Sequence, residues 1–135
     1  MILLSNTTEQ TLAPGQSITF DDTILHSGCD TCHRNNTNSV KLRANGVYDI
    51  CFHANIGSPT AATNVQLQIT LGGDSPLPET IMRNTPAAVE DRNNVGTATS
   101  LKNCCGDYDR LFVTNTGANS VIVAAGSALK IGRRS

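Results

Sequence analysis

The residues best equipped for chemistry in this sequence are its five cysteines, four of which fall in two close groups. Cys29-Asp30-Thr31-Cys32-His33 comes first, and Cys104-Cys105 follows far downstream. Two close thiol pairs separated by a long stretch are a common way of writing a tetrahedral zinc site, because Zn²⁺ accepts four thiolate ligands. Cys29, Cys32, Cys104 and Cys105 would be those ligands, although adjacent cysteines are poorer chelators than a C-x-x-C pair. One or two disulfides tying the same loops together fit the spacing equally well. Four unrelated loop thiols are the plain alternative. The first group also matches the C-x-x-C-H pattern of covalent haem attachment, in which two thiols add to vinyl groups and the histidine ligates iron. Against haem stand a strand-rich context, the lack of an aromatic pocket, and an opening Met1-Ile2-Leu3-Leu4 too short for a secretory core. His26 and His33 are further candidate ligands, and otherwise are expected to be exposed.

The fifth cysteine, Cys51, lies in a strand-like run with Asp49 and His53. A Cys–His pair suggests a nucleophile. Positions i and i+2 of one strand are about 7 Å apart, however, which is beyond hydrogen-bonding reach. Small and polar side chains facing another subunit or solvent account for this face more simply. Asp91, Asp107 and Asp109 are the kind of carboxylates that calcium collects. Asn6-Thr7-Thr8 and Asn35-Asn36-Thr37 fit the glycosylation triplet, and Arg133-Arg134 reads as a short solvated basic end. No nucleophile–base or carboxylate pair stands out, so no enzyme is expected.

These residues must be positioned by a chain of 135 residues, 39% hydrophobic and 16% charged, which predicts one globular domain over 1–135. No apolar stretch approaches the roughly 18 residues of a membrane-spanning helix, so no membrane partner is expected. Ten basic against eleven acidic residues give a net charge of −1, which disfavours a phosphate-backbone partner. With no Trp, three Phe and two Tyr, a base-stacking platform is not expected either. The short apolar opening points to folding in a reducing cytoplasm, where free or metal-bound cysteines are the rule, although release by lysis or enclosure in a larger particle leaves the compartment open.

Strand signals run along most of the chain. Ser17–Phe20 begins an alternating segment that extends to His26, and Ser39–Arg43 alternates again. Val47–Ile56 has the cleanest pattern, with Tyr48, Ile50, Phe52, Ala54 and Ile56 on one face and Val47, Asp49, Cys51, His53 and Asn55 on the other. Val65–Leu71 has strict period two. Leu77–Met82 and Val95–Leu101 are weaker candidates, and Arg110–Thr114, Ser120–Val123 and Ser127–Ile131 complete the series. The best helix candidate, Pro86–Arg92, ends within two turns. Eight to ten short strands with polar turns and no long helix predict an all-β antiparallel sandwich. Phe20, Leu42, Tyr48, Ile50, Phe52, Leu67, Ile69, Leu111, Val113, Val123, Leu129 and Ile131 are its expected core.

Gly46-Val47-Tyr48-Asp49-Ile50-Cys51-Phe52, Gly106-Asp107-Tyr108-Asp109-Arg110-Leu111 and the closing Ala128-Leu129-Lys130-Ile131 resemble motifs of one superfamily. It is the trimeric jelly roll of tumour necrosis factors and complement globular heads. More narrowly, the chain resembles small stand-alone bacterial and prophage-encoded members. The resemblance implies a jelly-roll fold and a homotrimer, with Val47, Asp49, Cys51 and His53 at the subunit interface. It also implies that Gly106-Asp107 shapes a turn and is not a calcium ligand. Most aromatic residues that line the three-fold axis in the animal relatives are absent, and no collagen-like repeat is present, so cytokine and complement roles do not carry over. The role implied is structural: a trimeric capsid decoration or cement protein on a phage or prophage virion surface, partnered by a capsid or other particle-surface protein. The alternative is a receptor- or glycan-binding tip module of a fibre.

Overall fold

The computed structural model describes residues 1–43, 45–72, 75–103 and 109–134, with the side chain of Asp109 also outside the description. Two antiparallel sheets pack face to face. The strands are β1 (Ile2–Ser5), β2 (Gln10–Leu12), β3 (Asp22–His26), β4 (Thr31–Cys32), β5 (Val40–Leu42), β6 (Gly46–Gly57) and β7 (Val65–Leu71). They continue with β8 (Ser75–Pro76), β9 (Met82–Asn84), β10 (Asn93–Asn103), β11 (Asp109–Thr114), β12 (Val121–Val123) and β13 (Ala128–Arg133). The first sheet runs β2-β12-β6-β13-β1-β3, with β10 on the other side of β6. The second runs β4-β5-β11-β7-β8, with β9 beside β7.

Alternation in β6 carries through to packing. Tyr48, Ile50, Phe52, Ala54 and Ile56 are buried, while Asp49, Cys51, His53 and Asn55 are exposed and Val47 half-buried. All twelve expected core residues are buried, in one apolar cluster between the sheets. Thirteen strands stand among the described residues where eight to ten were expected, and the surplus has a physical cause. Residues 2–12 and 121–131 form one long antiparallel pair that is interrupted on both sides at matching places. Asn6 sits in one break and its side chain fills the other. Its amide donates to Thr8 O (2.9 Å) and Ala124 O (3.1 Å), while Oδ1 accepts from Ser127 N (3.0 Å) and Ser127 Oγ.

Several local expectations are corrected. Met1–Leu4, read only as a failed secretory core, forms most of a strand interior to the first sheet, with Ile2 and Leu4 fully buried. β2 was not foreseen. Ser17–Phe20 makes only isolated bridges, Ser17 to Thr114 and Phe20 to Thr37. Leu77–Met82 is not a strand. Pro78 cannot donate a ladder bond, and a 3₁₀ turn forms over Pro78–Thr80, where buried Thr80 Oγ1 donates to Leu77 O (2.8 Å) and accepts from Ile69 N (3.1 Å). Pro86–Arg92 is not helical. Asp91 Oδ2 accepts from Ala88 N (3.1 Å), closing a turn that competes with the helix.

Candidate functional site

The loop between β3 and β4 carries Cys29 and Cys32, both exposed free thiols. Cys104 and Cys105 lie outside the described residues. The strands that flank them converge on the same end of the sandwich, since Asp109 pairs with Leu42, which pairs with Thr31. At the close of β10, Asn103 Nδ2 donates to the carbonyls of Leu42 and Arg43, both at 3.1 Å. The topology therefore brings the ends of the two cysteine-bearing segments to Leu42. Thiolates are suitable zinc donors, but among the described residues no three His, Cys, Asp or Glu side chains form a metal cage.

The Cys29–Cys32 loop has anchors that do not involve its sulfurs. Gly28 supplies a positive φ of 79° for the turn. The Asp30 carbonyl accepts from Arg43 N (2.9 Å), and the Tyr48 hydroxyl lies 3.2 Å from it while donating at 2.7 Å to Arg43 O. Burial raises the Tyr48 pKa above the usual phenol value, with the Asp30 charge adding to the rise, so the hydroxyl keeps its proton as a donor. The Asp30 carboxylate pairs with Arg133 at 2.7 Å.

His33 is half-buried, which corrects the expectation of exposure. Its Nδ1 lies 2.9 Å from Ser39 O and its Nε2 3.1 Å from Phe20 O, so both ring nitrogens are engaged with backbone carbonyls. His26 is exposed, with Nε2 2.9 Å from Thr31 O. Thr31 Oγ1 and Asn103 Oδ1 are buried oxygens without a hydrogen-bond partner among the described residues, and both belong to this end of the molecule.

The second candidate is the outward face of β6. Asp49, Cys51 and His53 lie opposite Ser100, Ala98 and Gly96 on β10, and opposite Gly132, Lys130 and Ala128 on β13. Arg134 forks onto Asp49, with Nε 3.1 Å from Oδ2 and Nη2 on Oδ1, and Ser100 Oγ donates to Oδ1 at 2.6 Å. The Arg134 hydrogen bond first, and then that of Ser100, hold the Asp49 carboxyl below the usual carboxylate range. Arg133 and Arg134 are exposed, as expected of a solvated basic end, and their ion pairs to Asp30 and Asp49 also tie down the C-terminal strand. Asn6, the first residue of a glycosylation triplet, is buried with its amide fully bonded, so it is a structural residue.

No family model matches the sequence, and no curated protein matches it. Solved structures do. The globular domain of zebrafish complement 1qA superposes with a TM-score of 0.72 over 99% of this chain and 96% of its own, at 13% identity. Eiger TNF from S. frugiperda gives 0.76 over 99% and 91%, at 11% identity. PRD1 vertex protein P5 gives 0.53 over 99% and 94%, at 16% identity. The fold is the TNF-like jelly roll. Among the described residues no helix is long and apolar enough to cross a membrane.

Proposed function

We propose that this chain is a non-enzymatic structural protein that assembles as a homotrimer and decorates or cements the surface of a phage or prophage particle. The observation that carries the reading is the likeness to a vertex protein along nearly the whole chain, and the homotrimer is what the sequence resemblance implies. The outward face of β6 supports it. Gly96, Ala98 and Ser100 on the β10 side, and Gly132 and Ala128 flanking Lys130 on the β13 side, leave low ground beside Cys51 toward β10, onto which a second copy can pack closely. β10 is an eleven-residue strand paired on one side only among the described residues, and such an edge invites cover. Val47, Asp49, Cys51 and His53 are then interface residues.

Light scattering tests the assembly. A mass about three times the 14.3 kDa of the chain is expected, and Ala98→Arg, which replaces a small side chain on that face by a long cationic one, should give monomer without unfolding. A wild-type monomer at micromolar concentration overturns the trimer. Mass spectrometry and reconstruction of purified particles test the location, and absence of the chain from the particles overturns the surface role. The four-cysteine site travels with this reading as a separate proposal. Zinc would be lost to chelator, whereas disulfides would resist chelator and yield to reductant.

A specific observation favours the second reading, a glycan-binding tip. A polar cleft of about 680 Å³ is lined by residues including Thr8, Thr11, Asn36 and Asn38, whose amides and hydroxyls suit sugar hydroxyls. It ranks second because Gln10 already closes on both backbone groups of Thr19, and Asp21 is held by Thr7.

A further inference from the structure

On the outer face of the second sheet, three neighbouring strands present Cys32, Lys41 and Arg110 in one row. Cys32 of β4 pairs directly with Lys41 of β5, which pairs directly with Arg110 of β11. Directly opposed residues share a face, with Cβ atoms about 5 Å apart, and like charges placed so are destabilising. Arg34 adds a third cation where the row meets a cavity of about 390 Å³, closed by Thr37 and Ser39. No described carboxylate lies within ion-pairing distance of Arg34, Lys41 or Arg110. Three of the ten basic residues of a chain with net charge −1 therefore converge on one concave spot without a counter-charge from the described residues.

The cavity is also oriented. Arg110 Nη1 donates to Ser39 Oγ at 2.9 Å, which fixes the guanidinium, while the Ser39 hydroxyl proton stays available to a ligand. Ser39 is itself held by its own carbonyl against His33 Nδ1. A fixed guanidinium fork, a mobile ammonium and hydroxyl donors are the groups that recognise a tetrahedral oxyanion.

We infer that the Arg34–Lys41–Arg110 cavity binds a phosphate or sulfate group, free or as the ester of a sugar. The inference does not depend on the trimer or on the virion role, since every group involved lies on one chain.

The test is isothermal titration and thermal denaturation at fixed ionic strength with inorganic phosphate, inorganic sulfate, glucose 6-phosphate and glucose as probes. The comparison is between wild type and a Lys41→Thr, Arg110→Gln double variant. Without anion the double variant should be at least as stable as wild type, because the opposed cations are gone. Phosphate should raise the wild-type melting temperature more than that of the variant, and the affinity should fall at least tenfold in the variant. General salt effects act on both proteins and cancel in the difference. Lys41→Arg keeps the charge and should retain binding to within a few-fold. Tighter binding of glucose 6-phosphate than of inorganic phosphate assigns the ester, and equal binding assigns the free anion. Equal responses of wild type and double variant, or equal binding of uncharged glucose, overturn the inference. Cys32 gives a second readout. With reductant and chelator present, phosphate should slow its alkylation by iodoacetamide relative to Cys29, which does not line the cavity, and an unchanged ratio also overturns the inference.

Discussion

Asn6 is the residue that holds the two strand breaks together. One amide satisfies backbone groups on both halves of an interrupted strand pair, in a site that excludes water. Removing it leaves several buried donors and acceptors without partners, each costing about 1–3 kcal/mol. Asn6→Ala should therefore lose about 3 kcal/mol or more in urea denaturation, whereas Asn94→Ala, on the exposed face, should change stability by less than about 0.5 kcal/mol. Equal losses would mean that Asn6 does not hold the two breaks together. The ion pair of Asp49 is exposed, and its signature is pH dependence. The folded carboxyl titrates below its unfolded counterpart, so its contribution is complete above about pH 4 and disappears as pH falls through the folded value. The stability gap between wild type and Asp49→Asn should then be widest near neutral pH and close in acid. A gap that is constant from pH 7 to pH 2 would remove Asp49 from the account.

At the scale of elements, β6 is central because it is paired along both edges, by β10 on one side and by β13 and β12 on the other. Phe52→Ala in its middle should cost about 3–5 kcal/mol. Leu4→Ala in interior β1 should cost about 2–5 kcal/mol, while Ile24→Ala in edge strand β3, at 58% exposure, should cost well under 1 kcal/mol. A small loss at Leu4 would place β1 at the margin of the sheet. Elements with strict alternation, such as Val47–Ile56 and Val65–Leu71, were legible because period two survives whatever the partner strand is. β1 and β2 were not, since a run of three apolar residues carries no period and three-residue Gln10–Leu12 is defined only by its partner. The basic cavity was hidden for the same reason. Lys41 and Arg110 are ordinary strand residues until the register sets them opposite each other, and register is a property of pairs. For the cysteines the sequence offers spacing alone, and Cys104 and Cys105 lie outside the described residues. The anchors that hold its first loop, Asp30, Tyr48 and Arg133, are scattered along the chain.

For the whole molecule, the outward face of β6 yields a chemical prediction. In a trimer built on that face, and with reductant and chelator present so that Cys29 and Cys32 are free thiols, Cys51 should react slowly with iodoacetamide while Cys29 and Cys32 react quickly, and Ala98→Arg should expose Cys51. Equal reactivity of all three thiols in wild type would place the interface elsewhere. The pairing of β1 with β13 has a further consequence, in time. Ile2 lies opposite Ile131 and Leu4 opposite Leu129, so β1 gains this neighbour only after all the residues between it and β13 have been made. At about 5–20 residues per second, Ile2 and Leu4 wait on the order of 10 s without it, and closing so long a loop slows folding further. The nascent chain therefore carries β1 as a hydrophobic strand without its β13 neighbour, and its yield in a cell should depend on what shields that strand before Leu129 and Ile131 emerge.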